Sequence, residues 1–377
     1  QLFVITSFFL VWRFSVEFFE KKIYSFFSVL LLEGLYFYNF TTPEFNVNVC
    51  QLPFWAGTVY FFWKAINDNK NINWILFGLL AGLGFLSKYL FVYLLASLII
   101  FFLFEAFKQK KFNTKCFISL IVFFLVIFPH LLWLNDNNYS AIFYGIERTG
   151  LESSNLLKHL TNPLIFLLKQ IGILVPTVLM TLVIISKFSF RLNLKDRKLQ
   201  FLIFSIFLPI FLLFVTSVIT GAKIRTMWLT PFYLFFGTFL IYFFKNKINL
   251  KNMKKFLIIF SVFFILSPAT YLYVSITQTA KRTDYPGREI AYLVQSKWSN
   301  NFSNEIEIVV GDEWFGGNLS YHLASRPKWY NTLDQNILNK EIKGGFIYVG
   351  NPTVLKKVCP GVFGTIKPIG ICMIGSK

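Results

Sequence analysis

A few charged and polar residues that could do chemistry interrupt long apolar stretches of this sequence. Glu44 follows Pro43, and the amides of Asn46 and Asn48 come shortly after it. A carboxylate beside amides at a membrane surface can bind a divalent cation or accept a proton from a substrate hydroxyl. We predict Glu44 as a catalytic residue and as the ligand of any divalent cation, with Asn46 binding substrate. A solvated loop acid would give the same pattern, and this alternative stays open.

Lys88 and Tyr89 break an apolar stretch that contains Gly82 and Gly84. A charged side chain at the centre of a bilayer costs roughly 2.5–3.5 kcal/mol on insertion scales. Lys88 avoids that cost where it reaches the membrane surface or meets an anion, and a lipid phosphate would supply the anion. We predict that Lys88 and Tyr89 bind substrate. A lysine that only extends its ammonium group to the interface is the alternative.

Two further polar segments carry candidate binding residues. Lys223 and Arg225 lie close together just before Trp228. Arg offers a planar fork to phosphate oxygens, and Lys offers a mobile point charge. Asp136 and Arg148 belong to a longer segment rich in oxygen and amide groups, which suit sugar hydroxyls and phosphate. We predict that all four bind substrate, although polar loops between membrane spans also occur without any binding role.

Three ionisable residues lie within or near apolar blocks, where such groups are functional candidates by default. Arg13 is close enough to Glu17 for a local pair, and His130 is near the end of its block. Glu33 has no comparable explanation from the sequence.

Long apolar blocks determine the fold class. Of the 377 residues, 55% are hydrophobic and 15% are charged, whereas a soluble domain carries about a quarter charged residues. The blocks approach the roughly 17 to 25 residues that cross a bilayer core, where backbone polar groups must be bonded within a helix. We therefore predict an all-α polytopic membrane bundle. Its ten apolar blocks are 1–18, 24–40, 51–66, 72–87, 89–107, 116–134, 164–186, 200–220, 226–244 and 256–277.

The distribution of positive charge predicts the orientation of these blocks. The net charge is +19, but the basic residues lie in turns between apolar blocks, which indicates topology signals and contacts with anionic membrane lipids rather than nucleic-acid binding. Eighteen Lys and Arg residues lie in one set of turns and five in the alternate set. The positive-inside rule places the first set in the cytoplasm and the candidate residues on the outer face. The five are Lys88, Arg148, Lys158, Lys223 and Arg225.

The segment after the last apolar block alternates helical and strand patterns, which is typical of a small α/β domain. These patterns lie at Glu289–Trp298, Glu305–Val310, Asn318–Ala324 and Gly345–Val349. We predict a transmembrane domain at 1–277 and a soluble extracytoplasmic α/β domain at 278–377. Cys359 and Cys372 lie in this second domain and form either a disulfide or two free buried thiols.

The order of the polar motifs resembles that of membrane glycosyltransferases of family 39. This group is related to the dolichyl-phosphate-mannose protein mannosyltransferases and to the bacterial aminoarabinose transferase that acts on lipid A. The resemblance covers roughly residues 1–245, and the segments around Asp284–Gly287 and Gly311 resemble the outer domain of bacterial members. The motifs are Thr42–Glu44, Gln51–Trp55, Gly82–Tyr89, Pro163 with Gln170, and Lys223–Trp228.

This resemblance implies a GT-C fold and an inverting transfer from a polyprenyl-phosphate sugar donor on the periplasmic or lumenal side. In the family an acidic residue of the first outer loop acts at the acceptor. The sequence resembles the family from its second span onward, so we expect that the N-terminal span, the first outer loop and this acid are missing from it. Glu44 matches the second acidic position, where many members carry Asp. Lys88, Lys223 and Arg225 match positions expected to hold the lipid phosphate.

Together these features predict a glycosyltransferase, hexosyl or pentosyl, of a bacterial inner (plasma) membrane, with its C-terminal domain periplasmic or extracellular. Its expected partners are the polyprenyl-phosphate sugar donor, a lipid, polysaccharide or protein acceptor, and membrane lipids. Two alternatives are a transporter or flippase of lipid-linked sugars and a non-catalytic relative. Transporters usually have internal repeats and binding groups near the middle of the membrane, and no repeat is visible here.

Overall fold

The protein forms two compact units, Gln1–Val274 and Ser275–Lys377. The structure is a computed structural model, and it describes residues 1–149, 156–186, 192–278, 284–332, 344–366 and 369–376. The first unit is helical and the second contains a β-sheet. Lys187 and Arg191, which contribute to the predicted basic turns, lie outside the described residues.

Apolar runs form the helices of the first unit, and polar residues and glycine mark several of their ends. The Asn46 side chain caps the start of α3, and the Asp196 side chain caps the start of α9. Gly221 ends α9 with φ 69°, a left-handed conformation that glycine adopts without strain. The helices are α1 Leu2–Val16, α2 Lys22–Leu30, α3 Val47–Asp68, α4 Asn71–Ser87, α5 Val92–Gln109, α6 Cys116–Asp136, α7 Ser140–Glu147, α8 Lys158–Ile184, α9 Arg197–Thr220, α10 Phe236–Phe243 and α11 Met253–Thr277. Short 3-10 turns are Leu31–Gly34, Tyr36–Tyr38, Tyr89–Phe91, Thr226–Tyr233, Lys245–Lys247 and Leu250–Asn252.

One end of the helical unit collects the connections that are rich in Lys and Arg. Lys64, near the end of α3, pairs with Glu17 after α1 at 3.3 Å. Arg197, at the start of α9, pairs with Glu105 near the end of α5. These ion pairs tie the turns together while most of their positive charge stays exposed. This region, termed the basic end, comprises residues 17–22, 64–71, 105–116, 192–198 and 244–252.

The opposite ends of the same helices meet in a second region, termed the polar end. Lys88, after α4, donates to Asn48 at the start of α3, and Asn162 in α8 donates to the carbonyl of Gly221 at 2.7 Å. Because α3 has 22 residues, it separates the two ends by about 33 Å. Contacts of this kind place one end of each of the ten apolar blocks at the basic end and the other at the polar end. The polar end comprises residues 39–48, 88–91, 130–148, 158–162 and 220–228.

Fewer helices than the ten predicted blocks are long and apolar enough to cross a membrane. Five qualify among the described residues, and the pair Thr226–Tyr233 and Phe236–Phe243, bent by 52°, makes a sixth. Two more, α1 and α4, are apolar but have 15 and 17 residues. The five are Tyr89–Gln109, Cys116–Asp136, Lys158–Ile184, Arg197–Thr220 and Leu250–Thr277. The ten blocks are therefore not ten uniform spans.

The second predicted block, 24–40, differs most from a regular span. Its α-helix ends at Leu30, and two 3-10 turns continue to Tyr38. Gly34 lies so close to α8 that a Cβ atom on it would be 2.7 Å from the Cα atom of Thr177. Only a residue without a side chain fits at this close approach to α8, and the half-buried Glu33 precedes it.

Aromatic rings fill the interior of the helical unit near the basic end. The ring centroids of Phe14 and Phe18 are 4.5 Å apart, and those of Phe18 and Trp63 are 4.9 Å apart. Trp63 in turn lies 4.7 Å from Phe201. Each such pair contributes about 0.5–1.5 kcal/mol beyond its buried area. The cluster fixes α1, α3 and α9 against one another.

The second unit is a small α/β domain. Strands β1 and β2 are parallel, β1 and β3 are parallel, and β5 is antiparallel to both β3 and β4. The order across the described sheet is β2-β1-β3-β5-β4. Its helices are α12 Gly287–Asn301, α13 Phe315–His322 and α14 Pro352–Val358, and its strands are β1 Ile306–Gly311, β2 Lys328–Tyr330, β3 Gly345–Gly350, β4 Val362–Ile366 and β5 Ile369–Ile374.

The predicted fold class, an all-α membrane bundle with a small C-terminal α/β domain, is confirmed. The four predicted elements of the second domain correspond to α12, β1, α13 and β3. Strands β4 and β5 and the short β2 were not predicted, because their segments are brief or contain glycine. Of the two alternatives for the cysteines, the structure has the disulfide between Cys359 and Cys372, with Cα atoms 5.6 Å apart.

Candidate anion-binding site around Lys88

Lys88 lies where the chain leaves α4 and turns into the next span. Its backbone is extended, with φ −167° and ψ 130°, so the helix stops there. The Nζ atom donates to Oδ1 of Asn48 at 2.6 Å. On another side it lies 5.2 Å from the ring centroid of Trp228, a cation–π distance. Three separate segments therefore meet at one ammonium group.

Helix α3 supplies its contacts to Lys88 from one face. Asn48 and Gln51 are three residues apart, a spacing that places both side chains on the same side of a helix. Both are buried. The Gln51 amide makes a long 3.5 Å contact to the carbonyl of Lys88. This face fixes both the side chain and the backbone of the lysine.

The side chain of Asn46 has a structural role next to this face of α3. Its Oδ1 accepts from the backbone N–H of Asn48 at 2.9 Å and of Val49 at 3.4 Å. Its amide also donates to the carbonyl of Glu44 at 3.2 Å. The side chain predicted to bind substrate is thus occupied by capping α3, and it sets where Asn48 points.

Burial leaves the Lys88 ammonium group poorly hydrated. Lys88 lies in the connection between α4 and the span that begins at Tyr89, outside both segments, and burial lowers its pKa to about 7. Its hydrogen-bond acceptor, Asn48, carries no charge. Within the described part of the chain, no carboxylate forms an ion pair with Lys88. A ligand anion would therefore find a cation whose charge is not neutralised by the protein.

Lys223 and Arg225 lie on the segment that also carries Trp228. The backbone N–H of Trp228 donates to the carbonyl of Arg225 at 2.9 Å, which closes a tight turn. The Ser217 hydroxyl fixes the start of this segment by donating to the carbonyl of Ala222 at 2.8 Å. Lys223 and Arg225 are exposed. The segment thus carries two exposed cations within five residues of the Trp228 ring.

The other predicted residues are at the polar end but outside this contact group. Tyr89 shares a hydrogen bond of 2.7 Å with Nε2 of His130. Arg148 lies over the ring of Tyr144 at 5.5 Å. Asp136 is exposed at the end of α6, and Glu44 is exposed in the loop before α3. The structure describes no side-chain contact of Asp136 or Glu44 with Lys88.

No group of three or more His, Cys, Asp or Glu residues suited to a metal ion occurs among the described residues. Glu44 is four positions before Asn48 and exposes its carboxylate. A divalent cation there would take most of its ligands from substrate or water, and this remains a prediction.

Sequence reasoning did not identify Asn48, Gln51 and Trp228 as the partners of Lys88. The signal for the first two was the helical spacing of polar residues in an otherwise apolar block. That face continues to Trp55, whose indole N–H has no partner in the described part of the chain, as is also true of Oε1 of Gln51. Trp228 gave no local signal, since its contact depends on tertiary packing.

The architecture and this site define an integral membrane protein that presents a half-buried cation and two exposed cations at the polar end of a helical bundle. Residues 1–133 match the family model described as dolichyl-phosphate-mannose-protein mannosyltransferase. No curated protein and no solved structure matches the chain significantly. The family match covers α1 to α5 and most of α6, and therefore includes Lys88 and its partners on α3. The match covers about a third of the chain and supports glycosyltransferase activity in general.

Proposed function

We propose that the protein transfers a sugar from a polyprenyl-phosphate donor to a lipid, polysaccharide or protein acceptor at the polar end of the bundle. The observation that carries this proposal is the half-buried Lys88 ammonium group, which Asn48 and Trp228 hold without neutralising it. A lipid phosphate has the charge and size to pair with it. In this proposal Lys223 and Arg225, exposed on the segment that carries Trp228, pair with the remaining phosphate oxygens.

The reaction requires charge neutralisation at the leaving group. A hydroxyl oxygen of the acceptor forms a bond to the anomeric carbon of the sugar while the bond from that carbon to the phosphate oxygen breaks. The bonding electrons leave with the lipid phosphate, and the acceptor's proton goes to a carboxylate or to water. Lys88 and Arg225 stabilise the departing phosphate, as positioned cations do for developing negative charge. Glu44 is the predicted residue for holding the acceptor or a cation.

We further propose that the polar end faces the outside of the cell and that the α/β domain of residues 278–377 is extracytoplasmic. The excess of Lys and Arg at the basic end supports this orientation through the positive-inside rule. In that orientation, the phosphate of a lipid donor at the outer membrane interface lies at the same depth as Lys88.

Replacing Lys88 by Met tests the function, because Met keeps an unbranched apolar side chain but removes the charge. We expect the rate of sugar transfer by the purified protein, measured with radiolabelled polyprenyl-phosphate sugar, to fall at least about 100-fold. Alanine at both Lys223 and Arg225 is expected to weaken use of the donor. Lys70→Met is the matched control, since Lys70 is an exposed cation at the opposite end of the same helix.

Unchanged transfer by Lys88→Met would remove this residue from the site. The same assay separates the alternatives. A flippase would move the lipid-linked sugar across a liposome membrane without releasing free polyprenyl phosphate, and a non-catalytic relative would bind the donor without either effect.

A further inference from the structure

A second candidate site lies in the helical unit on the other side of the turn that carries Trp228. A cleft of about 580 Å³ lies between the 3-10 turns after α2, the middle of α8 and the middle of α11. Its polar lining includes Glu33, Asn39, Lys169, Thr226 and Ser267, and the rest is largely apolar. Thr226 and Trp228 belong to the same 3-10 turn, where residues two apart point in different directions. One turn therefore borders both sites.

The cleft opens toward lipid. Leu168 and Ile171 on α8 are 68% and 55% exposed, and Ile265 and Leu266 on α11 are 66% and 54% exposed. Both helices qualify as membrane spans, so these apolar side chains contact hydrocarbon when the protein is in a bilayer. A molecule that enters between them must itself be partly apolar.

Lys169 is a charged residue within this lipid-facing region. It follows Asn162, which bonds the polar end, by seven residues, or about 10 Å along the helix. Lys169 thus lies about two helical turns inside α8 from the polar end. The side chain is exposed and forms no ion pair among the described residues. Placing this charge in lipid is unfavourable unless an anion meets it.

Two further groups in the cleft can bind a polar ligand. Oε1 of Glu33 accepts from the Asn39 amide at 3.1 Å, which orients the half-buried carboxylate without neutralising it. The hydroxyl of Ser267 is buried on α11 and has no hydrogen-bond partner in the described part of the chain. Buried hydroxyls in proteins are normally bonded. An unsatisfied hydroxyl beside an oriented carboxylate indicates a ligand that carries its own hydroxyl groups.

We propose that this cleft, bounded by Glu33 and Lys169, binds the acceptor, an amphiphile whose head group carries both an anion and free hydroxyls. Lys169 pairs with the anion, and Glu33 and Ser267 bond the hydroxyls. The donor also carries a phosphate and sugar hydroxyls, but we assign it to the Lys88 site, because no carboxylate of the described residues pairs with Lys88 whereas the carboxylate of Glu33 would repel the donor's phosphate. The assignment of this amphiphile as the acceptor rests on the proposed transferase function, whereas its binding in the cleft does not depend on that function.

The test uses the purified chain of 377 residues and four lipid probes: phosphatidylglycerol, phosphatidic acid, phosphatidylcholine and a polyprenyl-phosphate sugar. Phosphatidylglycerol has an anion and two hydroxyls, phosphatidic acid lacks the hydroxyls, and phosphatidylcholine carries a compensating positive charge. The amount of each lipid retained per protein after exchange from an equal mixture is measured by mass spectrometry. We expect the wild-type protein to prefer phosphatidylglycerol over phosphatidic acid and phosphatidylcholine.

Lys169→Met is expected to lower phosphatidylglycerol retention about tenfold and to leave retention of the polyprenyl-phosphate sugar unchanged when that lipid is offered alone. Lys169→Arg keeps the charge and should keep the retention, which separates loss of binding from loss of folding. Glu33→Gln should reduce the preference for phosphatidylglycerol over phosphatidic acid. Lys254→Met, which removes an exposed cation from the basic-end part of α11, is the matched control and should resemble the wild type.

Wild-type retention of phosphatidylglycerol by Lys169→Met would overturn the proposal. Loss of the polyprenyl-phosphate sugar instead would assign the cleft to the donor and overturn the acceptor assignment while the transferase function stands. If the wild-type protein holds phosphatidylglycerol in the cleft but never consumes a polyprenyl-phosphate sugar, the transferase function fails and the acceptor assignment fails with it.

Discussion

The two partners of Lys88 have different effects on its charge. The Asn48 oxygen is a neutral acceptor, so it directs the ammonium group without neutralising it. The Trp228 ring covers another side and excludes water, which strengthens any interaction with an anion. A carboxylate in place of Asn48 would hold the lysine more tightly but would compete with the phosphate of a ligand. The arrangement favours binding of an external anion over internal pairing.

The pH dependence of donor binding follows from the burial of Lys88. Since burial lowers the pKa of Lys88 to about 7, the free protein loses this proton as the pH rises through that value, and only the protonated amine attracts phosphate. We expect the KM for the polyprenyl-phosphate donor to be lowest below about pH 7 and to rise by up to about tenfold per pH unit above it. Initial rates over a range of donor concentrations, measured between about pH 6 and pH 8.5, test this.

Lys88→Arg provides the control for that titration. A guanidinium group stays protonated throughout this range, so the variant should show a KM that does not change with pH, even if its geometry lowers the rate. A wild-type KM that is flat across pH 7 would show that the ammonium group of Lys88 is not the group that binds the donor.

At the scale of single residues, the sequence predicted which charged residues are candidates for function, but it did not predict the side chains that contact them. Lys88 is recognisable because a charge interrupts an apolar block, and Glu33 is recognisable for the same reason. Their neighbours are not, because Asn48 is 40 positions away in the sequence and Lys169 is farther still from Glu33. Such contacts depend on how helices pack, which local patterns do not specify. The capping role of Asn46 could have been predicted from Asn before a helix start.

At the scale of elements, the packing of α4 on α6 positions Lys88. A Cβ atom on Gly78 would lie 2.9 Å from the Cα atom of Ser119, and one on Gly82 would lie 2.8 Å from Cβ of Val126. Small residues of this kind let two membrane helices approach closely. The close approach holds the end of α4, and with it Lys88, beside α6 and His130.

We expect Gly78→Ala to destabilise this packing by about 1–3 kcal/mol, because the added methyl group meets backbone that cannot rotate away. Thermal unfolding of the detergent-solubilised protein, followed by the exposure of Cys50 or Cys116 to a thiol-reactive dye, measures the change. Gly145→Ala is the control, since a Cβ atom there would meet nothing within 4 Å. Equal melting temperatures for the two variants would contradict the close approach.

The elements themselves were largely predictable because hydrophobic length is a strong signal for membrane helices. The break in the second block was not, since it depends on the approach of Gly34 to Thr177 on a helix more than 140 residues later. The short strands β2 and β4 were missed because strands of three to five residues have little periodicity to detect.

At the scale of the whole molecule, the separation of charge between the two ends is the basis for the proposed orientation. The contacts show that the connections alternate between the basic end and the polar end along the described chain. The sequence predicted this alternation from charge alone, because turns on one side of a membrane share a selective pressure for Lys and Arg. Which end faces outward is a prediction of the same rule.

Single cysteines placed at the two ends test the orientation in intact cells. In a background with Cys50 and Cys116 replaced by Ser, we expect a membrane-impermeant maleimide to label Lys223→Cys and to leave Lys110→Cys unlabelled until the membrane is permeabilised. Both positions are exposed, so differences in reactivity report the side of the membrane. If only Lys110→Cys were labelled, the protein would have the opposite orientation, and the proposed site would not lie on the outer face.

The 3-10 turn Thr226–Tyr233 touches the Lys88 group through Trp228 and the cleft through Thr226. Only one residue separates Thr226 from Trp228, so a shift of the turn's backbone on binding at one site would displace the residue that borders the other. If each site takes its proposed ligand, the two affinities are thermodynamically linked: whatever factor the donor imposes on acceptor binding, the acceptor imposes on donor binding. A dissociation constant measured for either lipid alone would then differ from the value that governs turnover.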